Sequence, residues 1–221
     1  MNGRHLDALL IFDCDGVLVD SEPLANRELH DSLRRLGLEI TLEHSTRTFT
    51  GLSMRSCVAL VESMLGAPVP DDFVPELRRR TTLAFRDRLR PVRGVEGLLG
   101  RLEAPFCVAS SSTRGRIHAS LEATGLRHWF PADTIFSADD VARGKPAPDL
   151  FLHAAASLGC PPARCTVIED SVPGVTAARA AGMRVFGYAE RTPSRTLEAA
   201  GATVVTCMTE LAGILADRSG P

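Results

Sequence analysis

Ala8-Leu9-Leu10-Ile11-Phe12-Asp13-Cys14-Asp15-Gly16 is the stretch that decides the fold. Five apolar residues follow one another without the alternation of a half-exposed strand, so the segment reads as a strand covered on both faces, as in parallel sheets. It stops abruptly at two acids and a glycine. Working outward, runs of the same kind recur at Phe106 to Ala109, Cys165 to Ile168, Arg184 to Tyr188 and Ala202 to Val205. Helical patterns lie between them. Leu150, Phe151, Ala154, Ala155 and Leu158 fall at helical spacing before Gly159, and the Ala-rich segment Val172 to Ala181 closes at Gly182. Between Thr113 and Thr124 the positions Ile117, Ala119, Leu121 and Ala123 give a mixed pattern that stops at Gly125. This alternation predicts an α/β fold, a doubly wound parallel sheet with right-handed crossovers.

Residues 20–90 break the alternation, because they hold no buried strand and three helical patterns follow one another. Asp20 or Ser21 can cap the first, with Pro23 in its opening turn and Gly37 at its end. In the second, Met54, Cys57, Val58, Val61 and Leu65 share a face and Gly66 is the stop. The third runs from Asp72 to Leu89 and is halted by Pro91; its Arg78-Arg79-Arg80 run reads as a solvated face. Two domains are therefore expected. Residues 1–19 and 91–221 form the core, and 20–90 form an all-helical domain inserted after the first strand.

Composition narrows the function. With 221 residues, 44% hydrophobic and 24% charged, the chain can bury a core and is no disordered tail. Lys and Arg number 25 against 27 Asp and Glu, so no positive surplus exists to hold a nucleic-acid backbone. No apolar run approaches the roughly 18 residues of a membrane span, and the start MNGRHLD lacks the long apolar stretch of a signal peptide. A cytoplasmic protein is expected, a monomer by default, with a loose tail over Asp217 to Pro221. The six scattered cysteines suit reduced, mostly buried thiols; Cys160 and Cys165 have no second Cys or His pair nearby to complete a zinc site.

In an open parallel sheet, ligands bind beyond the carboxyl ends of the strands, so the residues that follow each apolar run belong together. Those residues are Asp13 and Asp15 after the first strand, Ser110, Ser111 and Ser112 after the second, and Glu169 and Asp170 after the Cys165 run. Gly144-Lys145-Pro146 adds a lysine at a helix entrance. Carboxylates crowded at one sheet edge repel one another, and burying them unpaired costs several kcal/mol each. A cation must join them. Oxygen donors without histidines point to a hard ion such as Mg2+, and Lys145 supplies the fixed positive charge. Serines backed by helix N-terminal amides suit phosphate oxygens. A carboxylate beside such a cation can attack phosphorus, and a second carboxyl two residues along can move the protons.

DCDGVLVDSE (Asp13 to Glu22), VASSS (Val108 to Ser112), GKPAPDLF (Gly144 to Phe151) and VIEDSVPGV (Val167 to Val175) resemble, in order, the four motifs of the haloacid dehalogenase superfamily. The likeness runs from Ala8 to Tyr188 and is strongest to its phosphatase and β-phosphoglucomutase-like branch. The resemblance implies that Asp13 is the nucleophile, Asp15 the general acid and base, Ser110 a phosphoryl ligand and Lys145 its stabiliser. Ser111 is offered to the same phosphate. It further implies Mg2+ held by Asp13, the carbonyl of Asp15 and Asp170, with Glu169 a ligand or a supporting group. The inserted helices would be the cap that supplies substrate contacts. Within them Thr50-Gly51-Leu52-Ser53-Met54-Arg55 is similar to the segment that turns toward the active site, with Gly51 allowing close approach and Arg55 meeting the distal part of a substrate.

Three chemistries share such a scaffold. Dehalogenases of the superfamily lack the second acid of the first motif, which is present here as Asp15. β-Phosphoglucomutases carry a histidine where this chain has Ala25 and an arginine where it has Met54, so hydrolysis is favoured and the mutase is the alternative. A receiver module holding a phosphoaspartate as a signal would be about half this length, with its phosphorylated acid on a later strand. The expectation is a Mg2+-dependent phosphatase of a small phosphorylated metabolite, a sugar phosphate or phosphorylated sugar acid, working through an aspartyl phosphate.

Overall fold

The computed structural model describes residues 8–216, so the readings of the first seven residues and of the tail from Asp217 lie outside the described residues. The chain divides into two compact units, one running to Asp20 and resuming at Arg90, the other Ser21–Leu89.

The first unit is built on six strands, β1 (Leu9–Phe12), β2 (Phe106–Ser110), β3 (Ile135–Ser137), β4 (Cys165–Glu169), β5 (Arg184–Tyr188) and β6 (Thr203–Val205). They form one sheet in the order β3-β2-β1-β4-β5-β6, and every pair is parallel. All four residues of β1 are buried, as the unbroken apolar run requires. Strand order reverses beside β1, which pairs with β2 on one side and β4 on the other, and this is the switch point where open α/β sheets bind ligands. Strand β3 was not expected from sequence. Its three residues are fully enclosed, and pairing with β2 rather than any local pattern makes Ile135–Ser137 extended.

The second unit contains four helices, α1 (Glu22–Arg35), α2 (Leu42–Phe49), α3 (Met54–Leu65) and α4 (Phe73–Arg88), one more than the sequence suggested. Helix α2 is short and mostly polar, and Thr41 caps it by accepting from the His44 N–H at 3.2 Å. Leu29, Leu33, Phe49, Cys57, Val61, Phe73 and Leu77 form the unit's core. Ser53 caps α3 and Gly66 ends it in the left-handed region, whereas the Ser21 side chain makes no capping bond to α1. The arginine run does not behave as one solvated face. Arg79 pairs with Glu76 in solvent, but Arg80 reaches the buried carboxylate of Glu28 on α1, which also binds Arg88.

Helices α5 (Val95–Leu99), α6 (Arg114–Ala123), α7 (Asp149–Ser157), α8 (Val172–Ala180), α9 (Ser194–Ala199) and α10 (Met208–Ala216) complete the first unit. Leu150, Phe151, Ala154 and Ala155 of α7 and Val175, Ala177 and Ala178 of α8 pack with Leu9, Ile11 and Val167 in one core cluster. Small residues on these faces bring the helices close to the sheet. All described cysteines are free thiols; five are buried, and Cys160 and Cys165 both donate to the Pro161 carbonyl. No described helix is long and apolar enough to cross a membrane.

Candidate active site

The site starts from the register of β1 and β4. Phe12 pairs with Ile168, and the Asp13 N–H donates to the Ile168 carbonyl at 2.9 Å, so both strands end at the same level. Two segments distant in sequence thus present their acids side by side. Immediately beyond Asp13 the chain folds into a tight turn: the N–H groups of Leu18 and Val19 donate to the Cys14 carbonyl, and Val17, Leu18 and Val19 are buried beneath it. Gly16 sits in that turn with φ +83°, and a β-carbon there would lie 2.0 Å from Asp170 Oδ2. Only glycine fits both the backbone and the approach of Asp170.

Lys145 joins the two strand ends. Its ammonium donates to Asp13 Oδ1 (2.5 Å), Glu169 Oε1 (2.6 Å) and the Ala109 carbonyl (3.1 Å), which uses all three of its protons. It also lies 4.8 Å from the centre of the Phe151 ring. The lysine side chain is 4% exposed, Asp13 9% and Glu169 1%, so this is a nearly dry cluster with two acids for one base. Burial pushes the Asp13 carboxyl up to about 7; Lys145 opposes that rise, while Glu169 and Asp15 add to it. For Lys145 burial works downward, yet the charges of Asp13 and Glu169 outweigh it and hold the ammonium above the ordinary lysine range.

Glu169 is committed inside the protein. Its Oε2 accepts from the Asp170 N–H (2.9 Å), the Ser171 N–H (2.9 Å) and the Ser171 hydroxyl (2.8 Å), while Oε1 takes Lys145. A β-carbon at Gly174 would fall 1.8 Å from Oε1, so α8 passes directly against this carboxylate. Glu169 therefore fixes Lys145 and the first turn of α8. Asp170, partly exposed, is the acid that abuts the Asp13-Cys14-Asp15-Gly16 turn.

Asp15 is partly exposed, and both of its oxygens have partners on the segment after β2: Ser112 Oγ donates to Oδ2 at 2.8 Å and Arg116 Nη2 pairs with Oδ1 at 3.5 Å. Ser110 is buried and its hydroxyl accepts from the Ser112 N–H at 3.2 Å; Ser111 is exposed. Sequence reasoning noted Ser112 only as part of a serine run and gave Arg116 no role, since neither contact has a local signature. In the helical unit, Gly51 adopts φ +81° in the turn between α2 and α3, and Arg55 is exposed in the first turn of α3. Among the described residues no three His, Cys, Asp or Glu side chains converge as a metal cluster. A cation here would rest on the carboxylates of Asp13 and Asp170, a backbone carbonyl and water, an oxygen-only set that suits a hard divalent ion.

Residues 8–182 match the model of the haloacid dehalogenase-like hydrolases. The chain belongs to that family. Its relatives include the 6-phosphogluconate phosphatase of Escherichia coli, 30% identical over 81% of this chain and 81% of the relative, and the fructose-1-phosphate phosphatase of the same organism, 33% identical over 79% and 92%. Among solved structures, a haloacid dehalogenase-like protein from Agrobacterium tumefaciens is 37% identical with a TM-score of 0.86, covering 96% of this chain and 99% of that one. A family hydrolase from Deinococcus radiodurans, solved with bound phosphate and sodium, is 34% identical with a TM-score of 0.84, and 97% of each chain is covered. The haloacid dehalogenase-like chain described here is thus an enzyme, a hydrolase with the family's Rossmann-like sheet.

Proposed function

We propose that this hydrolase is a Mg2+-dependent phosphatase of a small phosphorylated metabolite, a sugar phosphate or phosphorylated sugar acid. The observation that carries the reading is the dry Asp13–Lys145–Glu169 cluster with a partly exposed second acid, Asp15, two residues from the first. Relatives named as sugar-phosphate and sugar-acid phosphatases support the substrate class, and the phosphate bound in the Deinococcus enzyme supports the phosphoryl chemistry.

Lys145 holds one oxygen of Asp13 and fixes the carboxylate, and Asp13 Oδ2 accepts no hydrogen bond among the described residues, which leaves it to attack. When bound, Mg2+ would rest on Asp13, Asp170 and the Asp15 carbonyl and screen the repulsion between carboxylate and phosphate. In the first step Asp13 forms a bond to phosphorus, the ester P–O bond breaks, and Asp15 gives its proton to the departing oxygen. In the second, water surrenders a proton to Asp15 and attacks the aspartyl phosphate, which releases inorganic phosphate and the Asp13 carboxylate. Ser110 and Ser111 receive the phosphoryl oxygens, and Lys145 offsets their charge. Gly51 and Arg55 are carried in this reading as the helical unit's contribution to substrate choice.

The test is phosphate release from a panel of phosphorylated sugars, sugar acids, glycolate and nucleotides, with Mg2+ or with chelator, and with interconversion of glucose phosphates assayed in parallel. Mg2+-dependent release from a sugar phosphate or sugar-acid phosphate, lost in Asp13→Asn, is expected. Interconversion without release would select the mutase, and no turnover of any ester would sink both readings.

A further inference from the structure

Asp15 is gripped through both oxygens by one short segment, and the grip is built from the backbone outward. The Ser112 hydroxyl reaches Oδ2 at 2.8 Å. Its own backbone is fixed twice, since its N–H donates to Ser110 Oγ (3.2 Å) and its carbonyl accepts from Ser137 Oγ (2.8 Å). Ser137 is fully buried at the end of β3, and its N–H donates to Asp140 Oδ2 at 2.8 Å. Arg114 spans the same corner, donating to Asp140 Oδ2 (2.7 Å) and the Ile135 carbonyl (2.6 Å). The second donor, Arg116, is 45% exposed and stands farther off, at 3.5 Å from Oδ1. A carboxyl otherwise turns freely about its last bond, whose torsion is broad. Here one oxygen is pinned by a hydroxyl that hangs from an anchored turn, and the other keeps only the longer contact.

We infer that Ser112 is a positioning residue for proton transfer by Asp15, with Arg116 as an auxiliary donor. The inference rests on the phosphatase reading and deepens it. Ser112 holds Oδ2 throughout, so Oδ1 is the oxygen that exchanges the proton: it passes its proton to the leaving oxygen as the P–O bond breaks and regains one from the attacking water. Arg116, at the longer distance and 45% exposed, is the weaker of the two contacts to Asp15 and acts on Oδ1 alone. A displacement of about 1 Å in such a group can cost on the order of a hundredfold in rate. Neither residue touches phosphorus in this account. Both act through Asp15.

The measurement is kcat/KM for a series of substituted phenyl phosphates, from dinitrophenyl to unsubstituted phenyl, with the Mg2+-loaded wild type, Ser112→Ala, Ser112→Thr, Arg116→Ala and Asp13→Asn. A dinitrophenolate leaves without a proton, whereas phenolate needs one, so loss of positioning must appear as a steeper dependence on the leaving group. Ser112→Ala is expected to lose about tenfold or more on phenyl phosphate and much less on dinitrophenyl phosphate. Ser112→Thr, which keeps the hydroxyl, should restore the wild-type slope, and Arg116→Ala should steepen it weakly. Equal losses across the series, or no loss, in both Ser112→Ala and Arg116→Ala would overturn the inference. Should Ser112→Ala fail to fold, the exposed Arg116 site still gives the slope. A wild type without turnover, or an Asp13→Asn enzyme that retains it, removes the phosphatase reading itself; an active wild type, a dead Asp13→Asn and unchanged slopes remove the positioning role alone.

Discussion

Each unit of the molecule buries a carboxylate among cations, and the two do so with opposite balance. In the helical unit Glu28, 7% exposed, is held by two arginines, with Arg88 Nη2 on Oε1 at 2.7 Å and Arg80 Nη2 on Oε2 at 3.1 Å. Both oxygens are matched and the arginines keep part of their surface in water, so the cluster is closed. At the β1–β4 edge the ratio is reversed. Asp13 and Glu169 share the single ammonium of Lys145, and Asp15 and Asp170 stand close by. A fold that needed only an internal ion pair would not bury two acids around one lysine, because the unmatched charge costs several kcal/mol. In the proposed reading this excess of buried carboxylate over ammonium, at Asp13, Glu169 and Lys145, marks the active site, and a divalent ion would supply the missing charge.

The largest expected effect breaks this comparison outright. Lys145→Met leaves two buried carboxylates unpaired and should cost about 3–5 kcal/mol in urea unfolding without metal, together with loss of phosphatase turnover. Glu28→Gln removes one charge between two partly exposed arginines, where solvent screens the loss; about 1–2 kcal/mol and an unchanged kcat/KM on p-nitrophenyl phosphate are expected. Equal damage at the two sites would mean that the clusters do not differ in kind.

A second expectation concerns pH. Burial raises the folded Asp13 to about 7 from an ordinary value of 3.8, so the folded chain binds more protons than the unfolded chain between those limits. The stability tied to this group is complete below pH 4 and is lost as pH rises toward 7. In chelator, Asp13→Asn should therefore gain stability on the wild type across that window, and Mg2+ should flatten the difference. A difference that ran the other way, or that ignored metal, would reverse the assignment. The smallest stability effect, at Gly66, is set against a second glycine of positive φ, Gly16. Gly66→Ala meets open space at the end of α3 and should cost roughly 1 kcal/mol, whereas Gly16→Ala collides with Asp170 and should cost more and abolish turnover.

Much of this was legible in the sequence because the informative residues act locally. Runs rich in apolar residues marked β1, β2, β4, β5 and β6, and the acids after β1 and at the end of β4 lie where the parallel register carries them. Helix stops at Gly66, Gly159 and Gly182 are left-handed glycines, as the pattern anticipated. What escaped depends on contacts remote in sequence. Ile135–Ser137 is too short to show a period and becomes a strand by pairing with β2. The polar α2 lacks an apolar stripe of its own. Ser112 and Arg116 are an ordinary serine and a helix arginine until the fold brings Asp15 beside them, and Glu169, read as a ligand or a supporting group, has both oxygens taken by Lys145 and by the Asp170 and Ser171 amides.

The central claim is that Asp13 is the atom donor to phosphorus and Asp15 the proton carrier, and trapping the enzyme between its two steps tests it directly. Asp15→Asn should still be phosphorylated by p-nitrophenyl phosphate with Mg2+, since that leaving group departs without a proton, but should lack the base that activates water. Rapid acid quench and peptide mass analysis should then place one phosphoryl group on Asp13, and none in the Asp13→Asn, Asp15→Asn double variant. A phosphoryl group on any other residue, or none at all while the wild type turns over, would contradict the account.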